Sequence, residues 1–113
     1  MLPKKYRLQA NEIELIKKRG FLMKSKSFSI LVSDATEQPT RFAFIVSTKI
    51  SKLATKRNKI KRTLSSSVER IYDKIKPNKC IIFLAKKELE LANQDMVDEE
   101  VLQIFKYNKL STN

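Results

Sequence analysis

Between Lys49 and Arg62 the chain reads KISKLATKRNKIKR, with seven basic residues and no acid. The basic residues are Lys49, Lys52, Lys56, Arg57, Lys59, Lys61 and Arg62, and Asn58 sits among them. The chemistry available to such a set is recognition of a phosphate backbone. Arginine offers bidentate donors, lysine a point charge, and asparagine a paired donor and acceptor. Like charges one helical turn apart repel and destabilise a helix, so the segment calls for a polyanion to neutralise it. The wider charge distribution agrees. Residues 1–62 hold 16 basic and 4 acidic side chains, whereas residues 63–113 hold 8 of each. The whole excess of +12 therefore lies in the first half, as a local patch rather than a spread solubility charge.

Groups that could cut a phosphodiester are missing from the pattern. There is no histidine, the commonest general base and metal ligand. Neither a Ser/His/Asp nor a Cys/His set can be assembled. Asp98, Glu99 and Glu100 fall in the early turns of a helical segment, where acids complement the macrodipole, and far in sequence from the basic stretch. The expectation is a chain with no catalytic residue, no metal site and no cofactor of its own. The lone Cys80 lies inside an apolar run and reads as a buried thiol in a reducing compartment. That run, Cys80 to Ala85, is too short to span a bilayer, and Met1-Leu2-Pro3-Lys4-Lys5 is not followed by a signal-peptide stretch. A cytoplasmic protein is expected, with no membrane partner and no small-molecule substrate. At 113 residues with 42% hydrophobic composition, one RNA-binding domain over residues 1–113 is expected.

The elements that must position the basic segment follow from hydrophobic periodicity. Asn11, with Glu14 three residues on, reads as the cap of a short first helix carrying Ile13 and Ile16 on one face. Lys17, Lys18 and Arg19 close that helix, and Gly20 suits a left-handed residue after it. Alternation marks strands at Ser27 to Ser33 and Arg41 to Ser47, with a short extra strand possible at Phe21 to Met23. The polar link from Asp34 to Thr40, with Pro39, suggests a hairpin-type connection. A long second helix over about Lys52 to Lys74 carries the stripe Leu53, Ile60, Leu64, Val68, Ile71 and Ile75. Asn58, Arg62, Ser65, Ser66 and Glu69 occupy its opposite side. Arg57 falls close to the stripe, so either the helix start overhangs the sheet or the guanidinium lies at the stripe's edge. The run Cys80 to Ala85, apolar throughout, reads as a central strand covered on both faces. A third helix over Gln94 to Tyr107, capped by Asn93, presents Val97, Val101, Ile104 and Phe105. The expected fold class is α+β, a two-layer sandwich ordered helix, two or three strands, helix, strand, helix.

The stretch Ala54-Thr55-Lys56-Arg57-Asn58-Lys59-Ile60-Lys61-Arg62 resembles the signature of the bacterial ribonuclease P protein component, approximately Ala-Val-x-Arg-Asn-Arg-Ile-Lys-Arg. Arg57, Asn58, Ile60, Lys61 and Arg62 match it. Along the rest of the chain, Arg7-Leu8 with the helix ending at Gly20, RFAFIVSTK from Arg41 to Lys49, and CIIFLAKK resemble the family's other segments in order. The resemblance implies a left-handed crossover through the basic helix, where general rules favour the right-handed form. It also implies that this helix docks on the catalytic RNA of ribonuclease P, which hydrolyses precursor tRNA with Mg²⁺. In the family a cleft between the first helix and the sheet receives the 5′ leader.

Departures from the family pattern fall at named positions. Lys59 replaces an arginine, Thr55 a valine, and Ser65-Ser66 an Arg-Glu pair. Two positions that tend to be aromatic on the first helix are Ile13 and Lys17 here, and an aromatic of the first main strand is Leu31. Ile13, Lys17 and Leu31 are therefore the leader-cleft candidates, with apolar packing and one cation in place of stacking; plain core roles for Ile13 and Leu31 stay open. The rival reading is a ribosomal or other structural RNA-binding protein, which would share the basic helix without the ordered series of family-like segments.

Overall fold

The computed structural model describes residues 2–35 and 39–111. Helix α1 spans Ala10–Arg19, strands β1, β2 and β3 span Phe21–Lys24, Phe28–Asp34 and Arg41–Ile45, helix α2 spans Ala54–Ile71, strand β4 spans Lys79–Ala85 and helix α3 spans Gln94–Tyr107. Single 3₁₀ turns precede α1, follow α2 and precede α3. The strands form one sheet in the order β1-β2-β4-β3, antiparallel except for the β3–β4 pair.

This order corrects the hairpin-type link. β2 and β3 are not neighbours, because β4 lies between them. The middle of that link, residues 36–38, lies outside the described residues. The cause is β4 itself: Cys80, Ile81, Ile82 and Phe83 are all buried, and only the interior of a sheet covers both faces of a strand. The β3–α2–β4 connection is the crossover that a parallel pair requires.

The sheet divides the apolar residues into two clusters. Phe28, Ile30, Val32, Phe42, Ile81 and Phe83 face α2 and α3, which add Ile60, Leu64, Val68, Val97, Val101, Ile104 and Phe105. Phe83 is the hub, with ring centroids 5.3 Å from Phe28 and Phe44, 6.3 Å from Phe42 and 6.1 Å from Phe105. On the other face Leu8, Ile16, Ala43, Cys80 and Ile82 form a smaller cluster beneath α1. The α+β sandwich is thus the sheet against α2 and α3, with α1 as a partial cover behind. Thr40 fastens the end of α2 to β3: its Oγ1 donates to the Lys76 carbonyl at 2.5 Å, and Tyr72 Oη donates to its carbonyl at 2.8 Å. Burial, and after it the neighbouring Tyr6, pushes the Tyr72 phenol up to about 12.

Four local expectations are revised. Helix α1 begins earlier than Asn11 would place it: Gln9 is the N-cap and its backbone N–H donates to Glu12 at 3.0 Å, while Glu14 pairs with Lys17 instead. Leu53 is not part of the buried stripe but an exposed N-cap residue of α2. Ser65 is fully buried rather than outward-facing, and its Oγ accepts the Leu2 N–H at 3.2 Å. Gly20 is extended, with φ −71° and ψ 154°, not left-handed. Its N–H donates to the Ile16 carbonyl at 2.7 Å, and a Cβ there would stand 2.8 Å from the same oxygen. Close approach, not backbone handedness, requires glycine at this position. Gly20→Ala should therefore destabilise the fold by about 1 to 3 kcal/mol through forced displacement, measured as a lower urea midpoint; an unchanged midpoint would show that α1 shifts without cost.

Candidate nucleic-acid interface

The basic segment straddles the end of β3 and the start of α2. Lys49 lies in a turn closed by Ser47, whose Oγ accepts the Lys49 N–H at 3.0 Å and whose carbonyl accepts Ile50 N–H at 3.0 Å. Lys52 follows in the exposed loop, and Lys56, Asn58, Lys59 and Arg62 are exposed on the helix, with Lys61 half-buried. By helical periodicity Asn58, Lys59 and Arg62 lie opposite the buried Ile60, Leu64 and Val68. Lys56 and Lys61 flank that outer face on either side. Arg57 falls on the inner side and is half-buried: its Nη1 donates to the Ser51 carbonyl at 2.9 Å, holding the approach loop to the helix start.

The electrostatics of this end are adverse in isolation. The first turn of α2 has no acid and no side-chain cap, so its free N–H groups and its cations stand together at the positive end of the macrodipole. By contrast α1 carries Lys17, Lys18 and Arg19 in its last turn and α3 carries Asp95 in its first, where the dipole favours them. An anion at the start of α2 would satisfy both the charges and the open amides.

The three candidates of the cleft also come together. Ile13 and Leu31 are half-buried at the rim of the smaller cluster, with Ile45 and Leu84 beside them. Lys17 lies one turn from Ile13 on the same helix face, exposed, with its Nζ 3.7 Å from Glu14. Sheet register places Leu22, Leu31, Ile82 and Ala43 in one row across this face. The next row, Lys24, Ser29, Leu84 and Ile45, reaches the end of the sheet from which the Lys49 loop departs. Lys86 joins it there, donating to the Ser25 carbonyl at 2.5 Å. The open rim of the cleft and the basic loop therefore share one end of the sheet.

Sequence reasoning missed the anchor that holds α1 over the sheet. Arg41 binds Glu12 with two hydrogen bonds, one of 2.9 Å from Nη1. Its only signal was a charged residue opening an otherwise apolar strand. Beside this pair a cavity of about 320 Å³ is lined by Leu15, Ile16, Arg19 and Cys80. Burial pushes the Cys80 thiol up, although the Arg41 charge opposes it. No group of three or more metal-ligating side chains occurs among the described residues, and no helix among them is long and apolar enough to cross a membrane.

Comparison with known proteins gives a consistent result. The family model described as Ribonuclease P matches residues 2–109. The ribonuclease P protein component of Bacillus cereus (strain Q1) is 29% identical over 107 residues, covering 93% of this chain and 92% of that protein. The RNase P protein of Thermotoga maritima superposes with a TM-score of 0.81 at 25% identity, over 89% of this chain and 96% of that one. The Staphylococcus aureus RNase P protein superposes at 0.82 with 23% identity, over 93% and 96% of the two chains.

Burial raises the Glu12 carboxyl, but the Arg41 hydrogen bond, the Gln9 N–H and the Arg41 charge outweigh it and hold Glu12 below its ordinary 4.5. A carboxylate depressed in the folded state contributes stability above its unfolded pKa and loses it as pH falls through the folded one. The stability difference between wild type and Glu12→Gln should accordingly be largest above pH 4.5 and shrink on further acidification. Paired urea titrations at neutral and acid pH measure it; a difference that did not change with pH would remove the ion pair as its cause.

Proposed function

The chain belongs to the ribonuclease P protein family, and from that premise we propose that it serves as the non-catalytic protein subunit of the ribonucleoprotein that removes 5′ leaders from precursor tRNA. Lys49, Lys52, Lys56, Arg57, Asn58, Lys59, Lys61 and Arg62 contact the catalytic RNA. Ile13, Lys17 and Leu31 contact the leader. Hydrolysis belongs to the RNA, which uses its own Mg²⁺, and the assembly works in the cytoplasm. The observation that carries this reading is the uncapped, acid-free start of α2, whose Lys56, Arg57 and Lys59 form no ion pair among the described residues. Lys17 supports the second half of the reading. It is an exposed cation one turn from Ile13, above an apolar groove with the half-buried Leu31 on its floor, which suits a single strand crossing α1.

The direct test adds the protein to the cognate catalytic RNA at low Mg²⁺. Cleavage of precursor tRNA should rise, and the protein alone should not cleave.

Binding to the catalytic RNA should weaken steeply with salt, each neutralised phosphate contributing roughly −0.7 to −0.9 to the slope of log K against log salt. Arg62→Ala should weaken that assembly by about 1 to 3 kcal/mol, the range for charge-assisted hydrogen bonds, and leave the unfolding midpoint unchanged. Titrations of wild type and variant across salt decide it. A flat slope, or assembly untouched by Arg62→Ala, rules out this face of α2.

The leader site is tested separately. Lys17→Ala should spare assembly and weaken holoenzyme binding to precursor tRNA but not to mature tRNA, which has no leader. Equal loss for both tRNAs would refute the assignment.

A further inference from the structure

Strand β1 is an edge of the sheet, and its first residue, Phe21, is 77% exposed. Strand alternation puts Phe21 on the side of Met23, which packs on the main core. Leu22 points to the opposite face, in register with Leu31 of the cleft, and is itself 51% exposed. Beside Phe21 lies a groove of about 490 Å³ whose lining includes Arg19, Lys76, Lys79 and Lys109, with Asp34 as the one acid in that lining. Lys79 pairs with Asp34. No ion pair among the described residues involves Arg19, Lys76 or Lys109.

An exposed aromatic ring among three uncompensated cations fits a polyanion with a free base. The ring stacks a base, and the cations take the flanking phosphates. A duplex keeps its bases paired, so the fitting ligand is single-stranded RNA. A second copy of this chain is a poorer match, because each copy carries +12 and presents the same cations. The groove is also separate from the start of α2. Lys76 lies beyond the other end of that helix, whose 18 residues span roughly 27 Å at about 1.5 Å each.

Leu22 extends the cleft face to the sheet's edge, and Phe21 is the next residue round that edge. We propose that the leader of precursor tRNA, after crossing the cleft, passes over β1 and stacks a base on Phe21, with its phosphates on Arg19, Lys76 and Lys109. This inference rests on the leader-cleft reading and adds a second, distal contact to it.

The test measures affinity of the assembled holoenzyme for mature tRNA and for precursors with a short leader ending in the cleft or a long one. Phe21→Ala should lower affinity for the long-leader precursor by about tenfold, the effect of losing one stacked base. It should leave the short-leader precursor, mature tRNA and thermal unfolding unchanged. Phe21→Tyr should keep wild-type affinity, and Lys109→Ala should flatten the salt dependence for the long leader only. Full long-leader affinity in Phe21→Ala, or equal loss on both leaders, overturns the proposal. So does a sedimentation dimer that Phe21→Ala dissolves while long-leader affinity stays intact. Lys17→Ala separates the two readings: it should weaken both precursors, and if it spares both, the cleft assignment fails whatever Phe21 does.

Discussion

The fold depends on the need to bury β4 on both faces. A strand reading Cys-Ile-Ile-Phe-Leu-Ala cannot sit at an edge without exposing one apolar row, so it is placed between β2 and β3. With β3 parallel to it, the chain must return along the whole sheet before β4 begins, and α2 makes that return. The start of α2 is thereby fixed at the end of β3, beside Ile45 and Leu84. Position of the basic loop, direction of the helix and nearness of the cleft rim all follow from that one placement. Phe83, in the middle of β4, meets four other phenylalanines, so the same strand also centres the packing.

Magnitudes explain why α2 tolerates its own charge. A cation at the wrong end of a helix dipole costs about 0.3 to 1 kcal/mol when exposed, and less in salt. Burying one aliphatic side chain contributes roughly 1.5 to 3 kcal/mol, and Ile60, Leu64 and Val68 are all buried. The far half of the helix is held further by polar contacts with α3. Asp98 accepts from Ser67 at 2.6 Å and Gln94 at 2.8 Å, and pairs with Arg70. Burial pushes Asp98 up, but these donors and the Arg70 charge leave it below its ordinary value. Attachment is concentrated away from the basic end, which keeps Asn58, Lys59 and Arg62 free to face a partner.

Elements with a strong internal period were legible in the sequence. The stripe of α3, its Asn93 cap, the alternation of β2 and β3 and the buried β4 all stand in the structure as read, and the α+β class with them. Sheet order was not legible, because it depends on which strand most needs burial rather than on the turn between two neighbours. Local polar details failed for a related reason. Ser65 reads as surface until the distant Leu2 N–H arrives to use it, and Glu12 reads as a helix acid until Arg41 folds against it. Gly20 reads as suited to a left-handed residue, whereas the close approach of a carbonyl, 2.8 Å from where a Cβ would stand, leaves no mark in composition. In the basic segment the charge was legible and the exposure of Leu53 was not, because apolar periodicity carries no information about where the sheet ends.

The groove beneath α1 is aliphatic because the helix above it is held by a polar contact. Helix α1 buries only Ile16 fully, so apolar area alone holds it weakly. Its position over the sheet is set near its start by the Glu12–Arg41 pair, while the Gly20 N–H closes its own last turn on the Ile16 carbonyl. With the helix tied by that pair, Ile13 packs at the rim of the smaller cluster and Lys17 stands exposed one turn further on, at the two positions where the family resemblance leads one to look for aromatics. An aliphatic groove with one cation can guide a strand but offers no ring for a base to stack on. Exposed rings stand at the sheet's edge instead: Phe21, one residue beyond Gly20, and Tyr107, which lines a groove with Leu22 and Met23. A base stacked in this part of the molecule would have to find its ring at the sheet's edge, outside the groove.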